Sequence, residues 1–522
     1  MGDEGWRNVC RLEDLREGSP VLVKAGDDEV CVVLLEGSVH AVGNKCSHYE
    51  CPINEGLLLG HVVTCKCHDA RFDLRTGKVL SPPALNDLPV YPVRVSDGEV
   101  LVGPVEKPRF PKPEGTDPRT FLIVGGGAAG NAAAETLRRE GFAGRIVMAT
   151  AEADLPYDRP NLSKEFMSGD AKPEWMPLRS AKFYANQRIE VLSETRVASI
   201  DAGKKSVVLS TGQTLSYDKA LLATGGAPRK LPVPGGDGEG CFQLRSFADA
   251  RLISEAAGAA RKAVLIGAGF IGMELASSLR KRGLEVTVVS PESLPLAGLL
   301  GDRVASVLRT RHEKDGVTFA SGVSVVQISG RQGSKTITLS DGRRLEADFI
   351  VCGIGAQPVV EYLQGTGIVE NGAVPVNPQL RTRHADLFAA GDIAVVPDTR
   401  SGTGVRIEHW VVAERQGQHA ARSMLGSDAP YIEVPFFWTR QTGASLKYVG
   451  FARRWDEVAV RGDAEKGKFL AGYYSGGKLL AAATMGLSNE LTAVKVMMER
   501  NTPLPPARLA DESVDLQKLA RG

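Results

Sequence analysis

Cysteine and histidine residues near the N-terminus are paired in a way that suits an iron–sulfur cluster. The sequence contains a Cys-x-His segment at Cys46 and His48 and a Cys-x-x-His segment at Cys65 and His68. A [2Fe–2S] cluster with mixed ligands needs two thiolates on one iron and two imidazoles on the other, and each segment supplies one of each. A Cys₂His₂ zinc site uses the same donors, but zinc fingers pair Cys with Cys and His with His. The mixed pairing therefore favours iron, with the two cysteines on one iron and the two histidines on the other.

A glycine-rich segment has the spacing of a dinucleotide-binding loop. The apolar run FLIV precedes it, and an alanine-rich stretch of helical character follows. Gly125, Gly127 and Gly130 would allow a tight turn and let the backbone approach a pyrophosphate at the start of a helix, where unpaired N–H groups favour negative charge. Glu152 ends the next predicted strand, where a carboxylate accepts hydrogen bonds from ribose hydroxyls. We therefore predict that this segment binds a dinucleotide.

A second copy of the glycine pattern, at Gly267, Gly269 and Gly272, lies between the apolar run AVLI and the predicted helix MELASSLRKRG. Two such loops are what an oxidoreductase with two nucleotides needs. The strand after the second loop ends in Ser290, where an NAD-selective site presents Glu or Asp, and no Arg follows to bind the 2′-phosphate of NADPH. Glu292 would serve in place of the missing acid. We therefore expect NADH to be slightly favoured, with NADPH left open.

Composition and charge exclude several other kinds of protein. Lys plus Arg (63) and Asp plus Glu (62) nearly cancel, so the basic surface of a nucleic-acid-binding protein is not expected. No apolar stretch approaches the roughly 20 residues that span a bilayer, and the acidic N-terminus is unlike a signal peptide. We therefore expect a cytoplasmic protein with neither a membrane nor a nucleic-acid partner.

Half of the eight cysteines lie between positions 46 and 67, which indicates a metal or redox site.

The elements that must position these residues predict a multidomain chain. Short alternating segments broken by Gly, Asp, Asn and Pro predict an N-terminal all-β domain. Buried strand runs that alternate with Ala-rich helices predict two interleaved α/β Rossmann-like domains, and a late return to alternating strands before two helical stretches predicts an α+β domain. The predicted boundaries are 1–106 for the all-β domain, 107–118 for a proline-rich linker, 119–247 and 369–428 for the two parts of the first nucleotide-binding domain, 248–368 for the second, and 429–522 for a C-terminal interface domain.

The first 105 residues or so resemble the Rieske ferredoxin family, including the Phe72-Asp73 and Thr76-Gly77 pairs after the second ligand segment. In the Rieske proteins of respiratory complexes, one further Cys follows the first His and another precedes the second. Cys51 and Cys67 occupy those places. The resemblance favours a disulfide between them, and the alternative is two free, packed thiols, because disulfides are uncommon in the cytosol.

The same resemblance bears on the reduction potential. In the respiratory proteins a Ser and a Tyr, two and four residues after the second His, donate hydrogen bonds to the cluster. Ala70 and Phe72 stand there in this chain, and neither side chain can donate. Fewer hydrogen bonds leave the reduced cluster less stabilised, so we predict a potential toward the low end of the Rieske range, about −150 mV.

Residues 119 to 522 resemble the FAD-dependent pyridine nucleotide reductases, within them the oxygenase-coupled ferredoxin reductases and apoptosis-inducing-factor-like proteins. The further motifs that carry the resemblance are Tyr157-Asp158-Arg159-Pro160 with Ser163-Lys164, Ala223-Thr224-Gly225-Gly226, Gly353-Ile354-Gly355-Ala356-Gln357-Pro358 and Ala390-Gly391-Asp392. The whole chain resembles the apoptosis-inducing-factor-like proteins that carry a Rieske domain. Cofactor contacts are implied at Thr224, Gly225, Gly353 and Gly355.

The resemblance also implies roles around the flavin. Asp392 would bind the ribityl chain of FAD, and Arg159 and Lys164 would line the flavin. Lys164 would also pair with Glu274 near the reactive N5 edge. The alternative for this lysine is a solvated helix charge. The indole rings of Trp410 and Trp438 would pack beside the isoalloxazine. Trp438 is equally well explained as a core residue.

The resemblance implies an enzyme that carries electrons from NAD(P)H through FAD to the cluster and on to an external acceptor such as an oxygenase component. Disulfide reductases of this fold have a Cys-x₄-Cys pair beside the flavin, but residues 128 to 240 contain no cysteine, so thiol–disulfide chemistry is excluded. Two alternatives are an NADH oxidase or monooxygenase that reacts directly with oxygen, and a redox-sensing interaction protein. The sequence leaves the acceptor and the oligomeric state open, a homo-oligomer included.

Overall fold

The computed structural model describes residues 5–398, 400 and 402–522. The N-terminal strands are antiparallel and form three small sheets, which confirms the predicted all-β domain. Along Asp28–Leu35, alternate side chains enter two different apolar clusters, Val30 and Val32 on one face and Cys31 and Val33 on the other, as expected for a strand with a period of two. The strands are Arg7–Arg11, Val21–Ala25, Asp28–Leu35, Ser38–Gly43, Leu57–Leu59, Val62–Thr64, Arg71–Asp73, Val79–Ser81, Val90–Tyr91, Val93–Ser96 and Glu99–Val102.

Two five-stranded parallel sheets form the central body. In spatial order the first contains Ile189–Leu192, Arg145–Ala149, Thr120–Val124, Lys219–Leu222 and Leu387–Ala389. The second contains Cys241–Gln243, Phe349–Cys352, Lys262–Ile266, Glu285–Ser290 and Val317–Ser321. All five strands of the second sheet precede the last strand of the first sheet along the chain. The two α/β domains are therefore interleaved, as predicted.

Helices and smaller strands complete these two domains. The main helices are Ala128–Arg139, Phe247–Ala259, Phe270–Lys281, Ala297–Lys314 and Trp410–Met424, and the short ones are Glu165–Ser168 and Ala181–Asn186. The antiparallel additions are Val197–Asp201, Ser206–Leu209 and Thr214–Ser216; Val325–Arg331, Ser334–Leu339 and Arg344–Ala347; Gly226–Pro228 with Ala356–Pro358; and Ala394–Asp398 with Thr403–Val405 and the parallel Val374–Pro375. The first glycine loop joins Thr120–Val124 to the helix Ala128–Arg139, and the second joins Lys262–Ile266 to the helix Phe270–Lys281. A dinucleotide fold places its phosphate-binding turn between a strand and a helix in this way.

The C-terminal region is an antiparallel sheet with helices, which confirms the predicted α+β class. In spatial order its strands are Phe436–Gln441, Ala444–Gly450, Lys478–Met485, Lys468–Ser475 and Glu457–Asp463, and its helices are Ser488–Glu499, Pro506–Ala510 and Leu516–Arg521. Residues 107–119 contain neither helix nor strand. No helix in the described part of the chain is long and apolar enough to cross a membrane.

The all-β domain packs against the C-terminal domain. Leu57 of the former lies in the same buried cluster as Val434, Leu491 and Val494 of the latter. Because apolar side chains of both domains share one buried cluster, the contact excludes water instead of resting on surface polar groups alone. The Rieske-like domain is therefore held in one orientation on the rest of the molecule.

Candidate functional site

The four predicted cluster ligands come together in the all-β domain. The Nδ1 atoms of His48 and His68 lie 3.1 Å apart, and the sulfurs of Cys46 and Cys65 are hydrogen-bonded to each other. Burial lowers the pKa of His48 to about 3 and that of His68 to about 2. Both imidazoles are therefore neutral, which is the form that ligates metal.

Two further cysteines join the ligand loops covalently. Cys51 and Cys67 form a disulfide, as the resemblance to respiratory Rieske proteins favours. The sulfurs of Cys51, Cys65 and Cys67 lie within 4.8 Å of one another, but two of them are bonded together and cannot act as thiolate ligands. The remaining donor set of two thiols and two imidazoles fits a [2Fe–2S] cluster of the Rieske type.

A cavity of about 830 Å³ lies between the two α/β domains and the C-terminal sheet. Its lining combines backbone from the first glycine loop with charged and aromatic side chains from all three regions. The predicted cofactor residues that line it are Gly125, Gly127, Glu152, Arg159, Lys164, Thr224, Gly225, Glu274, Asp392, Trp410 and Trp438. Its size and its position at the C-terminal ends of the parallel strands suit a dinucleotide such as FAD.

The first glycine loop is shaped so that only glycine fits at two of its three positions. Gly125 has φ +115°, and a Cβ there would lie 2.2 Å from the carbonyl oxygen of Ala223. A Cβ at Gly130 would lie 1.9 Å from the carbonyl oxygen of Gly125, because the helix packs directly on the turn. Gly127 caps the helix Ala128–Arg139, and among the described atoms none lies within 4 Å of its Cβ position. This open side is where a pyrophosphate would approach the helix N-terminus.

The second glycine loop repeats this geometry. Gly267 has φ +107°, and a Cβ there would lie 2.3 Å from the carbonyl oxygen of Gly353. A Cβ at Gly272 would lie 2.2 Å from the carbonyl oxygen of Gly267. Gly269 caps the helix Phe270–Lys281. The same close approach in both loops supports two nucleotide sites. Gly355 has φ +100° and lies outside the large cavity.

The predicted acid after the second loop lies where the sequence places it. Ser290 ends its strand, and its hydroxyl lies 2.5 Å from Oε2 of Glu292. Neither residue lines the large cavity. The end of this strand lies beside the second glycine loop, where the N–H of Gly267 donates to the carbonyl of Val289 at 2.9 Å. The role of Glu292 toward a ribose stays a prediction.

Lys164 and Glu274 form an ion pair at the wall of the cavity. Nζ of Lys164 lies 2.8 Å from Oε2 of Glu274, and both side chains are largely buried. Ser163 donates to the same oxygen at 2.5 Å, while Thr439 donates to Oε1 at 2.6 Å. Two hydroxyl donors therefore fix one carboxylate, which in turn fixes the ammonium of Lys164. The alternative that Lys164 is a solvated helix charge is wrong, and its role at the flavin stays a prediction.

Two other carboxylates of the cavity are held by arginines. Glu152 accepts from Arg159 at 2.8 Å and from the hydroxyl of Tyr157 at 2.7 Å. Asp392 accepts from Arg245 at 2.8 Å. Each carboxylate keeps oxygen lone pairs free for ligand hydroxyls, since a carboxylate can accept about four hydrogen bonds. Glu152 can therefore still accept hydrogen bonds from ribose hydroxyls, and Asp392 from ribityl hydroxyls, as the sequence predicts.

The indole of Trp438 connects the cavity to the ligand loops. It lines the cavity, and its ring centroid lies 4.6 Å from that of His68 and 6.1 Å from that of His48. The two sites are thus separated by a single aromatic side chain on this side.

Ion pairs fix the second ligand loop to the other domains. Oδ2 of Asp69 lies 2.6 Å from Nη2 of Arg415 and 2.5 Å from Nζ of Lys495. The side chains of Asp69 and Arg415 are 3% exposed and that of Lys495 is 1% exposed. Burial alone would raise the pKa of Asp69, but Lys495 and Arg415 together lower it. The residue after ligand His68 is therefore an ionised carboxylate at neutral pH.

Several of these functional contacts were missed by sequence reasoning. The cations Arg415 and Lys495, the hydroxyl of Thr439 and the guanidinium of Arg245 stand in no motif that the sequence reveals. Thr439 follows Trp438 directly, which was the one local signal for it. The others lie in helices or loops whose pattern indicates only packing.

Comparison with known proteins first defines the class. Residues 119–417 match the family described as pyridine nucleotide-disulphide oxidoreductase, residues 436–520 match "Reductase C-terminal", and residues 5–92 match "Rieske [2Fe-2S] domain". The chain belongs to the pyridine nucleotide-disulphide oxidoreductase family and carries a Rieske domain. It is an FAD-dependent oxidoreductase whose cofactors are FAD, NADH and a [2Fe–2S] cluster.

Individual relatives then narrow this class. "Apoptosis-inducing factor 3" of Homo sapiens is 37% identical over 495 residues, 91% of this chain and 81% of that protein. The "Anthranilate 1,2-dioxygenase system ferredoxin--NAD(+) reductase component" of Burkholderia cepacia is 35% identical over 398 residues, 76% of this chain and 98% of that one. Among solved structures, the covalent putidaredoxin reductase–putidaredoxin complex matches with a TM-score of 0.74 and 31% identity, covering 77% of this chain and 98% of that one. These matches confirm the predicted family, fold and enzyme class.

Proposed function

We propose that this chain is an NADH-dependent reductase that delivers electrons through FAD to its own Rieske cluster and then to an external acceptor protein, such as an oxygenase component. The relative from Burkholderia cepacia, named as a ferredoxin–NAD(+) reductase component, supports this function. The position of Trp438, between the cavity and His68, carries the proposal that the internal cluster is the first acceptor. When bound, FAD takes a hydride from NADH, and the cluster takes electrons one at a time.

The cavity residues have distinct proposed roles. Glu274, held by Ser163 and Thr439, keeps the ammonium of Lys164 at one place in the wall, so that a fixed positive charge faces the flavin. A preorganised charge of this kind stabilises negative charge that develops during reduction without any rearrangement. Asp392 would hold the ribityl hydroxyls, and Trp410 and Trp438 would cover the isoalloxazine.

The remaining predicted positions complete the proposal. The first glycine loop would bind FAD and the second NADH, with Glu292 on the adenosine ribose. Cys46, His48, Cys65 and His68 would ligate the cluster. The domain boundaries are proposed as 1–106, 119–247 with 369–428, 248–368 and 429–522, with 107–118 as the linker.

We propose that the acceptor approaches the first ligand loop. Tyr49, directly after His48, is 47% exposed, and its ring centroid lies 4.3 Å from that of His48. The ring of Tyr49 is therefore an exposed aromatic group in contact with one predicted histidine ligand, while Trp438 contacts the ring of the other, His68.

The proposal is tested by reducing the iron-loaded protein with NADH in the absence of oxygen. We expect flavin bleaching followed by a Rieske-type EPR signal. His68→Ala should abolish the EPR signal and the reduction of a one-electron acceptor such as cytochrome c, yet leave flavin bleaching intact. His61→Ala is the matched control, because His61 lies in the same domain but is partly exposed beside Asp73 and is no predicted ligand.

Two results would contradict the proposal. If NADH bleaches the flavin of the wild-type protein and no EPR signal follows, the internal relay is wrong. If cytochrome c reduction or rapid oxygen consumption persists at the wild-type rate in His68→Ala, the flavin serves that acceptor directly, as in the oxidase alternative.

A further inference from the structure

A buried lysine of the C-terminal domain lies against the second ligand loop. Lys447, in the strand Ala444–Gly450, is 8% exposed. Its ammonium donates to the backbone carbonyl of Lys66, which stands between the ligand Cys65 and the disulfide residue Cys67. It also donates to Oγ of Ser488 at 2.7 Å. Both acceptors are neutral groups.

This ammonium forms no ion pair with a carboxylate in the described part of the chain; Asp69 acts on it only at longer range. Its surroundings differ in this respect from those of the other buried cations nearby: Arg415 pairs with Asp69 and Glu433, and Lys495 pairs with Asp69 and Glu499. Burying a charge is unfavourable unless an opposite charge or strong hydrogen bonds compensate. We therefore expect a negative charge near Lys447 that the protein side chains paired with the other cations do not supply.

Two groups near this ammonium carry or can acquire negative charge: the carboxylate of Asp69, which is already held by Arg415 and Lys495, and a cluster ligated by Cys65. Lys447 and the ligand Cys65 line the same small cavity. Its remaining lining is apolar at Phe436, Val449 and Leu491 and polar at Lys66, Asp69, Ser488 and Thr492. Two ferric ions, two sulfides and two thiolates carry no net charge when both imidazoles are neutral, and reduction by one electron leaves one negative charge. Charges that face each other across apolar side chains interact more strongly than they do in water.

We propose that Lys447 is the counter-charge of the reduced cluster and raises its reduction potential. The inference rests on the ligand assignment proposed above and goes beyond it, because it makes the potential a property of the docked domains. The ammonium is fixed by a strand on one side and by the start of the helix Ser488–Glu499 on the other. A fixed positive charge stabilises the reduced form more than the neutral oxidised form, and charge near an iron–sulfur cluster is one of the factors that set its potential.

Lys447 acts in the opposite direction to the two missing hydroxyl donors. Ala70 and Phe72 are fully buried beside the second ligand loop, and their side chains offer no hydrogen bond. From the sequence, the lack of these two donors is predicted to lower the potential. The reductase body thus supplies from outside the Rieske domain a stabilisation that the domain itself lacks.

The test is an EPR-monitored redox titration of the full chain loaded with FAD and iron. We expect Lys447→Met to weaken the affinity of the cluster for its electron about tenfold, which is a negative shift of about 59 mV for a one-electron couple. Lys447→Arg keeps the charge and should restore most of the wild-type potential. The flavin potential, read from absorbance, should move in neither variant.

A second variant keeps the proposal testable if Lys447→Met does not fold. Ser488→Asp places a carboxylate beside the ammonium, in the first turn of the helix Ser488–Glu499, where negative charge is favourable. It should shift the cluster potential negative with Lys447 still present. Lys335→Met is the matched control, because Lys335 is also a buried lysine that donates to a backbone carbonyl, that of Gly330, but lies in the second nucleotide-binding domain.

The outcomes separate this proposal from the one it rests on. If the wild-type protein shows no Rieske EPR signal, the ligand assignment fails. If the signal is present but its midpoint in Lys447→Met and Ser488→Asp equals that of wild type and Lys335→Met, the ligands stand and the role of Lys447 is overturned. A midpoint that falls equally in Lys447→Met and Lys447→Arg would also overturn it, because the charge would then not be the cause.

Discussion

The two ligand loops of the Rieske domain are alike in sequence and different in their surroundings. The first loop contains Tyr49, which is half exposed and contacts the flavin domain through its hydroxyl, 2.5 Å from Oδ2 of Asp158. The second loop is covered by three cations from two other domains, with Asp69 ionised among them. Each loop supplies one Cys and one His, so the difference lies outside the ligands. The second loop is fixed by buried charges from two other domains, whereas the first keeps an exposed tyrosine beside its predicted ligand.

The largest effect is expected from removing the carboxylate of the second loop. Asp69→Ala leaves Arg415 and Lys495 without their shared partner, and breaking a buried ion pair costs about 3–5 kcal/mol. We expect loss of the cluster absorbance at lower urea and slower reduction of the cluster by NADH, while flavin bleaching is unchanged. The matched variant in the first loop is Glu50→Ala, whose exposed pair with Lys45 at 3.8 Å should contribute about 0–1 kcal/mol. Equal effects in both variants would remove the distinction between the loops.

An intermediate effect is expected from cutting the covalent link between the loops. The Cys51–Cys67 disulfide spans 16 residues, and closing a loop of that size stabilises a protein by about 3 kcal/mol in the chain-entropy treatment. The double variant Cys51→Ala, Cys67→Ala should therefore lose its cluster at lower urea than wild type, with the flavin unaffected. Cys10→Ala is the control, since that thiol is unpaired and lies away from the loops. An unchanged urea midpoint in the double variant would show that packing alone holds the loops together.

The smallest effect is expected at the exposed loop. Tyr49→Phe removes one hydroxyl that bonds to Asp158 and Asn161, and a single hydrogen bond contributes about 0.5–1.5 kcal/mol. We expect the rate of cluster reduction by NADH, measured by stopped flow, to stay near the wild-type value because the second loop keeps its position. A fall as large as that in Asp69→Ala would mean that the first loop also fixes the domain.

The sequence was sufficient where the chemistry is local. The glycine loops were predicted because turn, strand and helix follow one another directly, and the ligand pairs because each Cys stands two or three residues before its His. The charged neighbours were not predictable in this way. Lys447 contacts Lys66, which is 381 residues away along the chain, and Lys495 contacts Asp69, which is 426 residues away. The periodicity of a sequence does not indicate contacts between domains.

For Trp438, one contact could be predicted from the sequence and another could not. Its motif resembles a flavin-packing position, and the structure places its ring in the cavity wall. Its contact with His68 depends on how the Rieske domain packs on the C-terminal sheet, which follows from side chains such as Leu57 entering a cluster formed mostly by the other domain. A single sequence shows which side chains are present, but it does not show which of them pack against each other between domains.

The shared apolar cluster around Leu57 has a kinetic consequence. A reductase with a separate ferredoxin must wait for a collision, so its rate falls as the two proteins are diluted. Here donor and acceptor sites belong to one chain and are already in contact, so their effective concentration does not depend on how much protein is present. The internal transfer is therefore first order in enzyme, and only the final step to the acceptor depends on the concentration of a second protein.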